Sequence, residues 1–60
     1  MKGKVIKKTE PDALPPTGAI GEIRILSDSR WAFYPEKKEH RTNHPKFNYF
    51  IFEFWEIKVL

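Results

Sequence analysis

The sequence predicts an all-β fold, a small antiparallel sheet of four or five strands curled on itself. Three observations point there. The run from Phe47 to Leu60 is dominated by aromatic and β-branched side chains, without Gly, Pro or Asp, a composition that prefers strand to helix. Prolines and glycines cut the rest of the chain into pieces of strand length. The most charged piece, Glu36 to Lys46, has no apolar helical period. At 60 residues the chain makes one small β domain, residues 1–60.

A first short strand is expected over Lys2–Lys8, with Lys4 and Ile6 on one side and Val5 and Lys7 on the other. Its lysines suit a sheet edge, where charge deters pairing with other chains. The opening Met1-Lys2-Gly3-Lys4-Val5 resembles the first strand of cold-shock domains. The likeness covers those residues only, because the aromatic RNA-binding strand motifs of that family do not follow.

Glu10 to Gly18 reads as a loop, since Pro11, Pro15 and Pro16 cannot donate to a ladder and Pro15-Pro16 favours polyproline II geometry. No cation flanks the Pro-Pro pair at a spacing that suggests a ligand for a proline-binding partner, so a rigid connector is expected. Ala19–Ser27 is a second strand, Ser27–Arg30 a turn by composition, and Arg30–Tyr34 a third strand ended by Pro35. Pairing Leu26 with Trp31 sets Arg24 against Phe33 and Ile23 against Tyr34. Ile23, Ile25, Ala32 and Tyr34 then form a core face, and Glu22, Arg24, Leu26, Trp31 and Phe33 an outer face of rings and charge. A slip of one residue in that turn would exchange the faces. Glu36–Lys46 is expected as a long loop with room for one helical turn before Asn43.

The last strand, Phe47–Leu60, is apolar on both faces. It is therefore covered on both sides by a strongly bent barrel, or part of one face is open for a partner. A strand this long coils or carries a bulge, placed near Glu53, so that its halves use different faces. An SH3-like or OB-like small barrel is the expected architecture.

Size and composition narrow the function classes. Ordering costs about 1.5 kcal/mol per residue while buried apolar area returns about 25 cal/mol per Å2, so a chain this short balances near zero. It has no Cys to staple it or to hold zinc. Stability must come from the aromatic core or from a partner, which includes a homodimer. A net charge of +3 and a pI near 9.4 suit nucleic acid or an acidic protein surface. No uncharged apolar run reaches spanning length and no hydrophobic signal region opens the chain, so no membrane role and a cytoplasmic location are expected.

Among chemistry-bearing patterns, His40 and His44 lie four apart beside Glu36 and Glu39. Pro45 interrupts any helix there and no third ligand is evident, so neither a metal nor a cofactor is assigned. Glu53, His40, His44 and Arg41 are the residue types of a nuclease without its pattern, and Ser27, Asp28 and Ser29 place no triad. A non-enzymatic protein is expected, with a small nuclease-type toxin as the third reading. Rings interleaved with cations mark a candidate binding surface of Arg24, Arg30, Trp31 and Phe33, joined by Lys37, Lys38 and Arg41. Small barrels hold single-stranded nucleic acid with such sets. Glu22, Glu53 and Glu56 interrupt the aromatic faces and repel phosphate, which favours a protein partner and a compact inhibitor or adaptor of the kind phages encode.

Overall fold

A computed structural model of the chain describes residues 1–9, 13–41 and 49–60. Glu10–Asp12 of the expected loop, and Asn43, His44, Pro45 and Phe47 of the later expectations, lie outside them. Five strands form one antiparallel sheet: β1 (Lys2–Val5), β2 (Ile20–Ile25), β3 (Arg30–Pro35), β4 (Phe50–Glu53) and β5 (Ile57–Val59). Their order is β4-β3-β2-β1-β5. The sheet curls without closing, so β4 and β5 are its edges. A single 3-10 turn, Phe54–Glu56, carries the chain between those edges, and the expected closed barrel is not formed. Among the described residues no helix is long and apolar enough to cross a membrane.

The expected edge strand is interior. β1 pairs with β2 through Lys2–Glu22 and Lys4–Ile20, and with β5 through Gly3–Val59 and Val5–Ile57. It also stops at Val5 rather than Lys8, because Ile6 and Lys7 turn their amides to the Glu56 carbonyl (2.9 and 3.3 Å). The connector then returns through Gly18, whose φ of +95° is open to glycine at little cost. Gly18 donates to the Val5 carbonyl at 2.8 Å, which starts β2 beside β1.

The β2–β3 hairpin is one residue out of the expected register. Ile25 faces Trp31, Arg24 faces Ala32, Ile23 faces Phe33 and Glu22 faces Tyr34. The cause lies in the turn. Leu26 and Ser27 both donate to the Arg30 carbonyl, at 3.0 and 3.1 Å, so two residues of one side oppose one of the other. Ser27 Oγ accepts from the Arg30 amide (3.2 Å) and fixes the arrangement. That extra residue exchanges the faces of β3. Phe33, expected on the outer surface, is 0% exposed at the centre of the core, and Tyr34, expected in the core, is on the outer face.

The last segment departs from one long strand at the position expected for a bulge. Glu53 ends β4, the 3-10 turn follows, and β5 leaves it to pair with β1. Glu56 Oε1 accepts from the Glu53 amide (2.8 Å), and the Glu53 carboxylate accepts from the Glu56 amide. This reciprocal box satisfies amides that a helical turn would otherwise leave orphaned. Before the break Phe50 and Phe52 face inward; after it Ile57 does, which reverses the odd–even order of inward positions.

Val5, Ala19, Ile23, Phe33, Phe52 and Ile57 form the core, with Trp31 and Phe50 packed against it. Phe33 and Phe52 meet edge to face, centroids 5.8 Å apart at 89°, a geometry worth about 0.5–1.5 kcal/mol beyond the buried area. The curl needs Gly3 and Gly21, which face each other across β1 and β2. A Cβ on Gly21 would enter the Tyr34 backbone carbonyl, whereas one on Gly3 would meet the ends of the Ile23 and Ile57 side chains. Gly21→Ala should therefore destabilise at the upper end of the roughly 1–3 kcal/mol usual for overpacking. Gly3→Ala should cost less, because side-chain ends shift and the stiffer unfolded chain returns about 0.4–1 kcal/mol. Denaturant midpoints of the two variants test the order, and equal midpoints would contradict it.

Candidate functional site

The seven residues expected to share one binding surface are divided between two sides of the sheet. Phe33 has no surface to offer. Trp31 points to the inner side, half-buried, with its ring centroid 6.5 Å from that of Phe54. Arg24 and Arg30 are exposed on the outer side. Lys37 and Lys38 are exposed at the first 3-10 turn (Lys38–His40). Arg41 folds back on that turn, where its Nε donates to the Pro35 carbonyl (2.8 Å) and its Nη2 to the Glu36 carbonyl (2.9 Å).

Two surfaces replace the single one. At the hairpin end the inner layer runs out of cover. Ile25 is 57% exposed, its cross-strand neighbour Trp31 is half-buried, and Phe54, against Trp31, is 50% exposed. This strip is apolar and contains no charge. The backbone holds it firmly, since the Phe54 amide donates to the Ser29 carbonyl at 2.9 Å and the capped turn follows directly.

The outer surface is mixed. Tyr34 and Tyr49 stack in tilted fashion at 5.5 Å, and the Arg24 guanidinium lies 5.7 Å from the Tyr34 ring centroid. Ala32 beneath them is small enough to be covered by its neighbours Arg24 and Ile51. The carboxylates of this face are engaged. Glu22 pairs with the Met1 amino group, Glu36 meets Lys2 at 2.7 Å, and Glu53 is bound in the box with Glu56, which is itself buried. Arg24 and Arg30 have no ion-pair partner among the described residues.

No protein-family model, curated protein or solved structure matches the chain. Function is therefore argued from these surfaces alone.

The residues named for nuclease chemistry are not gathered. Glu53 faces Arg30 at the start of β3, while His40 follows its end, about 17 Å of strand away at 3.3 Å per residue. Among the described residues no group of three or more His, Cys, Asp or Glu side chains could hold a metal ion, and His44 is outside them. Sequence reasoning missed Tyr34, Tyr49 and Phe54. The available signal for Phe54 was the Glu53–Glu56 spacing, that of a capping box.

The Met1 ammonium, by hydrogen bond and then by charge, holds the Glu22 carboxyl below its ordinary value of 4.5. A carboxyl lowered in the folded state contributes stability above its unfolded value and loses it as pH falls through the folded one. Glu22→Gln should thus be less stable than wild type at neutral pH by a small margin, because the pair is exposed. The two melting curves should converge as pH drops below 4.5. A gap that widens in acid would remove the pair as a source of stability.

Proposed function

We propose that this protein is a non-catalytic binding module that docks another protein through the strip formed by Ile25, Trp31 and Phe54, as a compact inhibitor or adaptor of phage-like type does. The observation that carries the reading is the half-exposed Phe54 ring, set on a capped turn and backed by Trp31. Rings presented on a rigid element at the centre of an apolar patch are what protein interfaces use as anchors. The strip has no cation within it. A single-stranded nucleic acid needs cations along its phosphates beside the rings that stack its bases, and Arg24 and Arg30 lie on the opposite side of the sheet from Trp31.

A second reading has its own observation. The Arg24, Tyr34 and Tyr49 cluster, with its neighbouring glutamates already engaged, is chemically suited to stacking bases of single-stranded nucleic acid. The two readings use different faces, so substitutions separate them. Binding to an acidic protein surface or to a second copy of the chain remains within the first. A cytoplasmic, soluble module is the setting it implies.

Phe54→Glu should abolish capture of the protein partner by the immobilised chain, at a cost to stability of no more than about 0.5 kcal/mol, as for other surface changes outside the core. Tyr34→Ala should leave capture intact. The opposite pattern would replace the first reading by the second: affinity for a labelled oligonucleotide that falls steeply with salt, lost in Tyr34→Ala and kept in Phe54→Glu.

A further inference from the structure

Beyond the two surfaces lies a pocket on the far edge of the sheet, of about 170 Å3, lined by Lys8, Leu14, Phe50, Ile51, Phe52 and Glu56 among others. It is a groove open to solvent on one side, large enough for a small organic group. Its walls are divided almost evenly between polar and apolar surface, and one contains an ammonium group. Lys8 Nζ is shielded from solvent there and has no hydrogen-bond partner among the described residues.

How Lys8 reaches this position follows from the backbone. The amides of Ile6 and Lys7 converge on the Glu56 carbonyl. Beyond that anchor the two lysines diverge. Lys7 lies over the Trp55 ring, 5.3 Å from its centroid, while Lys8 enters the pocket. Glu56 shares the lining, but its Oε1 accepts from the Glu53 amide (2.8 Å), and no ion pair joins it to Lys8 within 4.0 Å. An ammonium removed from water with no acceptor at hydrogen-bond distance among the described residues is costly, and an acceptor oxygen entering from outside would offset that cost. β4 is an edge strand. Glu53 spends its amide away from β3, and by the two-residue alternation of an antiparallel pair Ile51 turns its backbone to the same free edge.

We infer that this pocket binds a carboxylate carried on a short apolar body. Lys8 supplies the charged donor, Leu14, Phe50 and Phe52 line the groove against the hydrocarbon, and the Ile51 backbone borders the entrance. The Glu56 carboxylate in the same lining disfavours a dianion such as phosphate more than a monoanion held by Lys8. The same chemistry comes from two sources, a branched free acid or the apolar C-terminal residue of a polypeptide. The inference does not rest on the protein-docking strip, which lies at the hairpin end.

The test is a titration followed by the backbone amide resonances of Lys8, Ile51 and Phe52 in the whole chain. The probes are 4-methylpentanoate, N-acetyl-leucine and N-acetyl-leucinamide. Both acids should shift these resonances and the amide should not. Tighter binding of N-acetyl-leucine than of 4-methylpentanoate assigns the chain terminus as the source, and the reverse assigns the free acid. Lys8→Met, which keeps the stem and removes the charge, should weaken the acids about ten- to a hundred-fold, the worth of a hydrogen bond to a charged group. It should also melt no lower than wild type, since an ammonium with no acceptor at hydrogen-bond distance among the described residues has been removed. Equal shifts with the amide, or no shifts with either acid, would overturn the site. So would a Lys8→Met protein that melts lower and binds neither, which would make Lys8 a structural partner of Glu56.

Discussion

The reciprocal hydrogen bonds between Glu53 and Glu56 determine how the aromatic run is used. Were the segment continuous, all of it would lie along β3, its second apolar face would meet solvent, and β1 would be left as an open edge. The box turns the chain through one 3-10 turn instead, so that Phe52 and Ile57 both point inward although they sit at odd and even positions. A carboxylate as buried as that of Glu56 is tolerable only with hydrogen-bond donors at hand. Here the donor is the Glu53 amide, which a strand ending at an edge leaves free. One short-range interaction thereby resolves the apparent excess of apolar surface and supplies both margins of the sheet.

Much of the fold was legible. Aromatic and β-branched content marked the strands, proline and glycine marked their limits, and a helical turn before Asn43 has its counterpart in Lys38–His40. What was not legible was register. Composition placed the β2–β3 turn within a residue, yet alternation amplifies a single residue into an exchange of faces. The bulge at Leu26 and Ser27 depends on which carbonyl two amides share, and residue types at a polar turn do not reveal that. The interior place of β1 was hidden for a related reason, because its second neighbour lies more than fifty positions away in sequence.

The candidate site suffered from the same slip. Arg24, Trp31 and Phe33 formed one surface only under the register that the bulge replaces, and the loss of that surface removed Phe33 to the core. The types of residue were read correctly as rings and cations, but their partition between inner and outer sides is a tertiary property. Glutamates counted against an anionic ligand because sequence shows charge without its partner. In the fold Glu22 and Glu36 are paired, Glu53 and Glu56 cap each other, and Arg24 and Arg30 have no ion-pair partner among the described residues. Lys8 was read as one more edge lysine, and nothing in its neighbours indicated that its terminal nitrogen would be enclosed.

Both outer strands of the sheet come from residues 50–59, while the centre is laid down by residues 2–35. A polypeptide emerging from the ribosome therefore exposes a three-stranded precursor with two bare flanks, lacking Phe52 and Ile57 to cover Phe33. Pairing of β1 with β5 joins residues more than fifty positions apart, which raises contact order and slows assembly. The protein completes its fold only after synthesis has passed the aromatic run. In that interval its unpaired flanks are the surface a chaperone would meet first.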